Sequence, residues 1–185
     1  MRTFRASRAL LALALGTIAC RDASPRSNAS TSRSTDAATS DAVIAIGGAL
    51  PAYRATTLSG APVELGGSGG PLTLVNVWAT WCTSCREEMQ DLAAIHHDYL
   101  PRGLRVIAVS VDAGSDALVR RFVQHEALPF PVVHDQAGTI QKDYHIVGVP
   151  TSYLIAADGR LLWQRVGGIH GELPTVRAEL EKVLH

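Results

Sequence analysis

The chain has 185 residues, 46% of them hydrophobic and 18% charged, a globular composition that excludes disorder over the whole length. That length accommodates one ordinary domain plus a tail, and is too short for two domains unless both are small. Basic and acidic residues balance at 17 each. Once Arg2, Arg5 and Arg8 leave with a cleaved leader, 14 basic residues (17 less those three) face 17 acidic ones, so no nucleic-acid surface is expected.

Those three arginines precede an apolar run from Ala9 to Ala19 that contains Leu10, Leu11, Leu13, Leu15 and Ile18. The order of basic segment, apolar segment and small residue is that of a secretory signal, so residues 1–19 are read as a signal peptide. The run is too short for a comfortable bilayer span, which needs roughly 20 apolar residues. Cys20 follows directly, and a cysteine there resembles a bacterial lipoprotein signal, although Thr17 stands where Leu is usual. The resemblance implies lipidation at Cys20 and attachment to a membrane. Residues 20–46 are rich in Ser, Thr and Ala and carry too little apolar surface to offset chain entropy, so they are read as a flexible tether. Residues 47–185 remain as the folded domain.

Within it, Tyr53 to Leu65 alternates around Ser59-Gly60 and predicts a hairpin. After the glycine-rich break at residues 66–70, Leu72 to Trp78 is a near-continuous β-prone run, the pattern of a strand buried on both faces. Cys82-Thr83-Ser84-Cys85 comes next, then Met89, Leu92, Ala93, Ile95 and Tyr99 at helical spacing until Pro101-Arg102-Gly103. Leu104 to Val111 is again β-prone, which completes a βαβ unit with parallel strands. Asp112 to Glu126 reads as a helix with Leu118, Val119, Phe122 and Val123 on its apolar face. A short extended piece follows up to Val133, then a turn at residues 135–138 and a short helix over 140–144. Gly148-Val149-Pro150-Thr151 leads into a strand at Ser152 to Ile155. Asp158-Gly159 predicts an antiparallel hairpin with Leu161 to Val166. Leu173, Val176, Leu180, Val183 and Leu184 mark a closing amphipathic helix with Pro174 in its first turn.

Three groups of residues carry a family pattern: Val75 to Cys82, Cys85-Arg86-Glu87-Glu88-Met89, and Gly148 to Ile155. Together they resemble the TlpA/ResA-like branch of the thioredoxin superfamily, over roughly Gly47 to His185. The resemblance implies an α/β, thioredoxin-like fold: a central mixed sheet flanked by helices, with an N-terminal β-hairpin and one inserted helix. It also implies a periplasmic or cell-envelope thiol–disulfide oxidoreductase, more readily a disulfide reductase than an oxidase, of the kind that often serves cytochrome c maturation.

A free cysteine, with a pKa of about 8.5, is only about 3% ionised at neutral pH, so the attacking thiolate needs stabilisation. At the start of a helix Cys82 would meet unsatisfied backbone N–H groups, which makes it the expected nucleophile. Cys85, one turn on, is the expected resolving thiol. Asn76 stands where plain thioredoxins carry an acid, so another base is required. Glu88 holds the position of the family's active-site glutamate, on the same helix face as Cys85. Pro150 resembles the family's cis-proline, with Val149 offering its backbone to substrate and Trp81 covering the cysteines. Trp78 is read as core. Two positions depart from the family: Thr83-Ser84 lacks the common proline before the second cysteine, and Gln90 replaces a common helix-kinking proline.

No cofactor or resident metal is expected beyond the redox-active disulfide of Cys82 and Cys85. The expected partners are protein thiol or disulfide substrates and an upstream thiol reductant, membrane-bound or soluble, with the chain a monomer. A zinc site of the two cysteines with His96 and His97 is disfavoured because adjacent histidines on a helix point apart. Copper delivery through two thiolates with Met89 or a histidine, thiol peroxidase chemistry and a purely structural disulfide are the rival readings. His134 and His145 are read as surface or core residues without catalytic duty.

Overall fold

The computed structural model describes residues 44–184. The expected signal peptide, Cys20 and all of the expected tether before residue 44 lie outside the described residues. Two strands, β1 (Tyr53–Thr56) and β2 (Pro62–Leu65), form the antiparallel hairpin. The chain continues through β3 (Thr73–Trp78), α1 (Thr83–Glu87), α2 (Met89–Tyr99), β4 (Arg105–Ser110), α3 (Ala117–His125) and β5 (Val132–His134). It ends with α4 (Thr139–Asp143), β6 (Thr151–Ile155), β7 (Leu161–Val166) and α5 (Leu173–Glu181). No helix among the described residues is long and apolar enough to cross a membrane.

The main sheet has the order β5-β4-β3-β6-β7. Its β3–β4 and β4–β5 pairs are parallel and its β3–β6 and β6–β7 pairs antiparallel, so the sheet is mixed. Every residue of the central β3 is buried, which explains why its sequence lacks a polar face. Alternation sorts its side chains instead. Leu74 and Trp78 pack with Met89, Leu92, Ile95, Val176 and Leu180 on one face, while Val75 and Val77 join Tyr53, Leu65, Ile140, Tyr144 and Tyr153 on the other. Asn76 falls between Leu74 and Trp78, and period two places it on the face that carries α2.

Three helices differ from expectation. The pattern beginning near the cysteine pair predicts one continuous helix, but the helix breaks at Glu88, where ψ is −7°, even though Gln90 takes the place of a kinking proline. The Glu88 side chain is bonded into the interior (below), which favours a local bend over straight continuation. The helix predicted from Asp112 starts only at Ala117, because Asp112 is buried and its carboxylate is committed elsewhere, and Gly114 has φ +87°. On α3, Val119 is fully buried but Leu118 is 48% exposed, so the apolar face is narrower than its sequence suggests. The α5 helix ends at Glu181, before Val183 and Leu184, which pack against the core from beyond its end.

The β6–β7 turn depends on Gly159. Its φ is +82°, and a Cβ there would lie 1.8 Å from the carbonyl oxygen of Gly67. Gly159→Ala combines left-handed backbone strain with a backbone clash, and is expected to cost about 2 kcal/mol or more in urea unfolding. An unchanged midpoint would show that the Gly67 loop yields freely.

Candidate active site

The cysteines follow the C-terminal end of β3 after a three-residue turn. Cys82 has extended backbone angles and caps α1 with its sulfur, which accepts the Cys85 backbone N–H at 3.2 Å. Cys82 and Cys85 are joined as a disulfide. The α1 helix has only five residues, so this directed N–H, rather than a long helix dipole, is the local group able to stabilise an anion on Cys82. The Ser84 hydroxyl lies 3.5 Å from the same sulfur, and the Val149 carbonyl oxygen is 3.7 Å away on another side. Cys82 retains 7% exposure and Cys85 none.

The Val149–Pro150 peptide is cis, and the Pro150 carbonyl accepts the Gly167 N–H at 2.8 Å. The fold therefore brings Val149 to Cys82 from across the sheet. Trp81 is 69% exposed, beside a disulfide whose own residues are buried. Val147, in the loop before Pro150, is 91% exposed.

Glu88 is fully buried at the junction of α1 and α2. Its Oε1 accepts from Asn76 Nδ2 at 2.7 Å and its Oε2 from the Ile169 backbone N–H at 2.7 Å. Burial raises its pKa from an ordinary 4.5 to about 7, opposed by these two hydrogen bonds, which favour the charged form. Asp91 pushes it further up and His170 pulls it down. Those two side chains are themselves paired, His170 Nδ1 lying 2.9 Å from Asp91 Oδ2.

Three contributors were not legible as site residues. Ile169 follows Gly167-Gly168, and Gly168 lies against the site: a Cβ there would stand in ordinary van der Waals contact, 3.5 Å from Glu88 Oε2 and 3.7 Å from Ser84 Cβ. Ser152 lies directly across from Asn76 in the β3–β6 register and accepts from its amide at 3.0 Å. Asp112 binds the Thr80 backbone N–H at 3.0 Å, the Thr80 hydroxyl at 2.6 Å and the Ser110 hydroxyl at 2.7 Å. It thereby pins the turn that leads to Cys82. A double glycine after a strand was the one visible signal; the other two contacts join residues 76 and 32 positions apart.

His96, His97 and His134 have partners other than the two sulfurs. His96 stacks edge-on to Phe130 at 6.0 Å, and His97, exposed, pairs with Asp98. His134 Nε2 lies 2.8 Å from the Asp112 carbonyl. Among the described residues, no three or more His, Cys, Asp or Glu side chains come together to hold a metal.

A Cys-x-x-Cys disulfide between a buried strand and the helix that follows it, in a mixed sheet flanked by helices, defines a thioredoxin-like thiol–disulfide oxidoreductase. Comparison with known proteins agrees. The thiol-disulfide oxidoreductase ResA of Bacillus thuringiensis subsp. konkukian is 35% identical over 122 residues, 66% of this chain and 70% of that protein. The thioredoxin-like protein YneN of Bacillus subtilis is 35% identical over 111 residues, 59% of this chain and 64% of that one. Among solved structures, a Chlorobium tepidum protein assigned as thiol:disulfide interchange protein DsbE superposes with a TM-score of 0.69 at 25% identity, covering 77% of this chain and 99% of that chain. StoA of Bacillus subtilis shares the fold, with a TM-score of 0.62 at 21% identity over 70% of this chain and 96% of that one. The AhpC/TSA family model matches residues 46–164, and the chain belongs to that family.

Proposed function

We propose that this thiol–disulfide oxidoreductase acts outside the cytoplasm as a disulfide reductase, with Cys82 as nucleophile, Cys85 as resolving thiol and Glu88 as proton acceptor and donor. The observation that carries this reading is the asymmetry of the pair: Cys82 keeps some exposure, whereas Cys85 has none and lies on the short helix that runs into the buried Glu88. In the reducing direction the Cys82 thiolate attacks a substrate disulfide, forming a mixed disulfide and expelling one substrate thiolate. Cys85 then loses its proton to Glu88 and attacks Cys82 Sγ. The internal disulfide forms, and the second substrate sulfur leaves and takes up a proton. An upstream thiol reductant restores the dithiol.

The surroundings of Cys82 support this direction. A strong oxidant arises when its reduced thiolate is heavily stabilised. Here the sulfur has one backbone donor, a hydroxyl at 3.5 Å and a carbonyl oxygen at 3.7 Å that opposes an anion. Exposed Trp81 and half-buried Val149, preceding the buried cis-Pro150, are the residues on which a substrate chain would lie. The compartment reading rests on the signal-like residues 1–19 and on Cys20 as a lipid attachment point, with residues 20–46 as tether and 47–185 as the catalytic domain. Service to cytochrome c maturation is the substrate class that the family resemblance supports.

Expressed as the full chain, the reduced pair is expected to react in intact cells with a thiol reagent that does not cross the cytoplasmic membrane, and Cys20 to carry acyl mass. Purified protein equilibrated with thiol buffers is expected to show a reduction potential well below about −200 mV. Labelling only after lysis would remove the compartment assignment, and a potential near about −120 mV would make the protein an oxidase.

A further inference from the structure

Asn76 is fully buried, and its amide is used unevenly. Both hydrogens of Nδ2 are engaged, one on Glu88 Oε1 at 2.7 Å and one on Ser152 Oγ at 3.0 Å, while Oδ1 has no partner. A buried, unpaired carbonyl oxygen is costly, so its persistence calls for a reason. The arrangement suits an ionised Glu88, which can only accept. It does not suit a protonated one, whose O–H would meet an N–H.

We propose that Asn76 and Ser152 form a reversible hydrogen-bond relay that follows the protonation of Glu88. When Glu88 takes up a proton, the Asn76 amide rotates by half a turn about its last side-chain bond. Its Oδ1 then occupies the present Nδ2 position, accepting from the Glu88 hydroxyl and from the Ser152 hydroxyl, whose rotor turns to donate. The Nδ2 group takes the site that Oδ1 now leaves unpaired. No neighbouring heavy atom has to move, because an amide offers a donor and an acceptor of the same shape and a hydroxyl can play either part. Each protonation state leaves one amide group unpaired, so neither is strongly favoured. That balance suits a carboxyl group that must both take and return a proton. Asn76 and Ser152 are thus positioning residues for the proton exchange, and the inference rests on the assignment of that exchange to Glu88.

The other charged groups that face Glu88 are Asp91 on α2 and His170 in the loop after β7, which act in opposite senses. Ile169 N–H holds Oε2 in place, so the proton is directed to Oε1, the oxygen that Asn76 faces.

The test is an NMR titration of the oxidised protein, in which the active-site cysteines do not titrate. Glu88 Cδ and the Asn76 side-chain amide are followed together. The two are expected to share one midpoint in the wild type. In Glu88→Gln, where the introduced amide imitates the protonated acid, the Asn76 signals are expected at their low-pH wild-type positions at every pH. Asn76→Leu removes a partner from both protonation states, but the bond to the ionised acid is the stronger of the two, so the Glu88 midpoint is expected to rise by less than about one pH unit, under about tenfold in proton affinity. The midpoint of the pH–activity profile is expected to move with it. Asn76 signals that stay still through the Glu88 titration, or high-pH signals in Glu88→Gln, would overturn the relay. If the relay signals appear but Glu88→Gln retains full activity, the relay stands and the catalytic assignment of Glu88 fails.

Discussion

Cys82→Ser is expected to reduce disulfide exchange at least about 10³-fold, to the buffer background, whereas Cys85→Ser is expected to attack substrate once and stop as a mixed disulfide. The difference follows from burial. A substrate sulfur must approach the attacking atom in line with its own disulfide, and only Cys82 has any exposure; Cys85 is enclosed by Trp78, Met89 and the rest of that core face. Serine at position 82 leaves a hydroxyl that is not ionised near neutral pH, and the enclosed Cys85 cannot take over. Serine at position 85 leaves the attack intact but removes the only described thiol that could release the substrate. Mass spectrometry of the intact adduct checks this. An adduct through Cys85 in Cys82→Ser would reverse the assigned roles.

Glu88→Gln is expected to slow exchange near neutral pH on the order of 10²-fold and to remove an inflection near pH 7 from the pH–rate profile. The same substitution has a stability signature of known sign. Burial raises the folded-state pKa above the unfolded 4.5 to about 7, so between those values the folded protein holds a proton that the unfolded chain has released. The stabilisation this group contributes is fully present below about pH 4.5, falls as pH rises through about 7, and levels off above it. At about 1.4 kcal/mol per pH unit the whole change amounts to about 3 kcal/mol. Urea unfolding of the oxidised wild type at stepped pH is expected to show this fall, and Glu88→Gln to flatten it. A wild-type profile that rises over the same window would mean that the two hydrogen bonds to the carboxylate outweigh its desolvation.

These two effects lie at opposite ends of what local pattern could disclose. The cysteine pair at a strand-to-helix junction was visible from the β-prone run ending at Trp78, the spacing of Met89, Leu92, Ile95 and Tyr99, and the Cys-x-x-Cys between them. The order of the elements, the N-terminal hairpin and the parallel β3–β4 pair were equally legible, because each rests on side-chain period and turn residues within a few positions. The start of α3 was not. Asp112 has the look of a helix-starting residue, yet its carboxylate bonds a turn 32 positions earlier, and that tertiary demand overrides local propensity.

Sequence alone therefore determined the order of the elements and the place of Cys82 and Cys85 among them, which follow from local periodicity and a short motif, while the class of fold and the nomination of Glu88 came from the family resemblance those motifs carry. The tertiary structure decided how Glu88 is held. Its partners are Asn76 on the neighbouring strand, Ile169 in a loop 81 residues away and, through Asn76, Ser152 across the sheet. The physical reason is that a carboxyl group's proton affinity depends on burial and on donors brought in from distant parts of the chain, and nothing in the spacing of neighbouring residues encodes either.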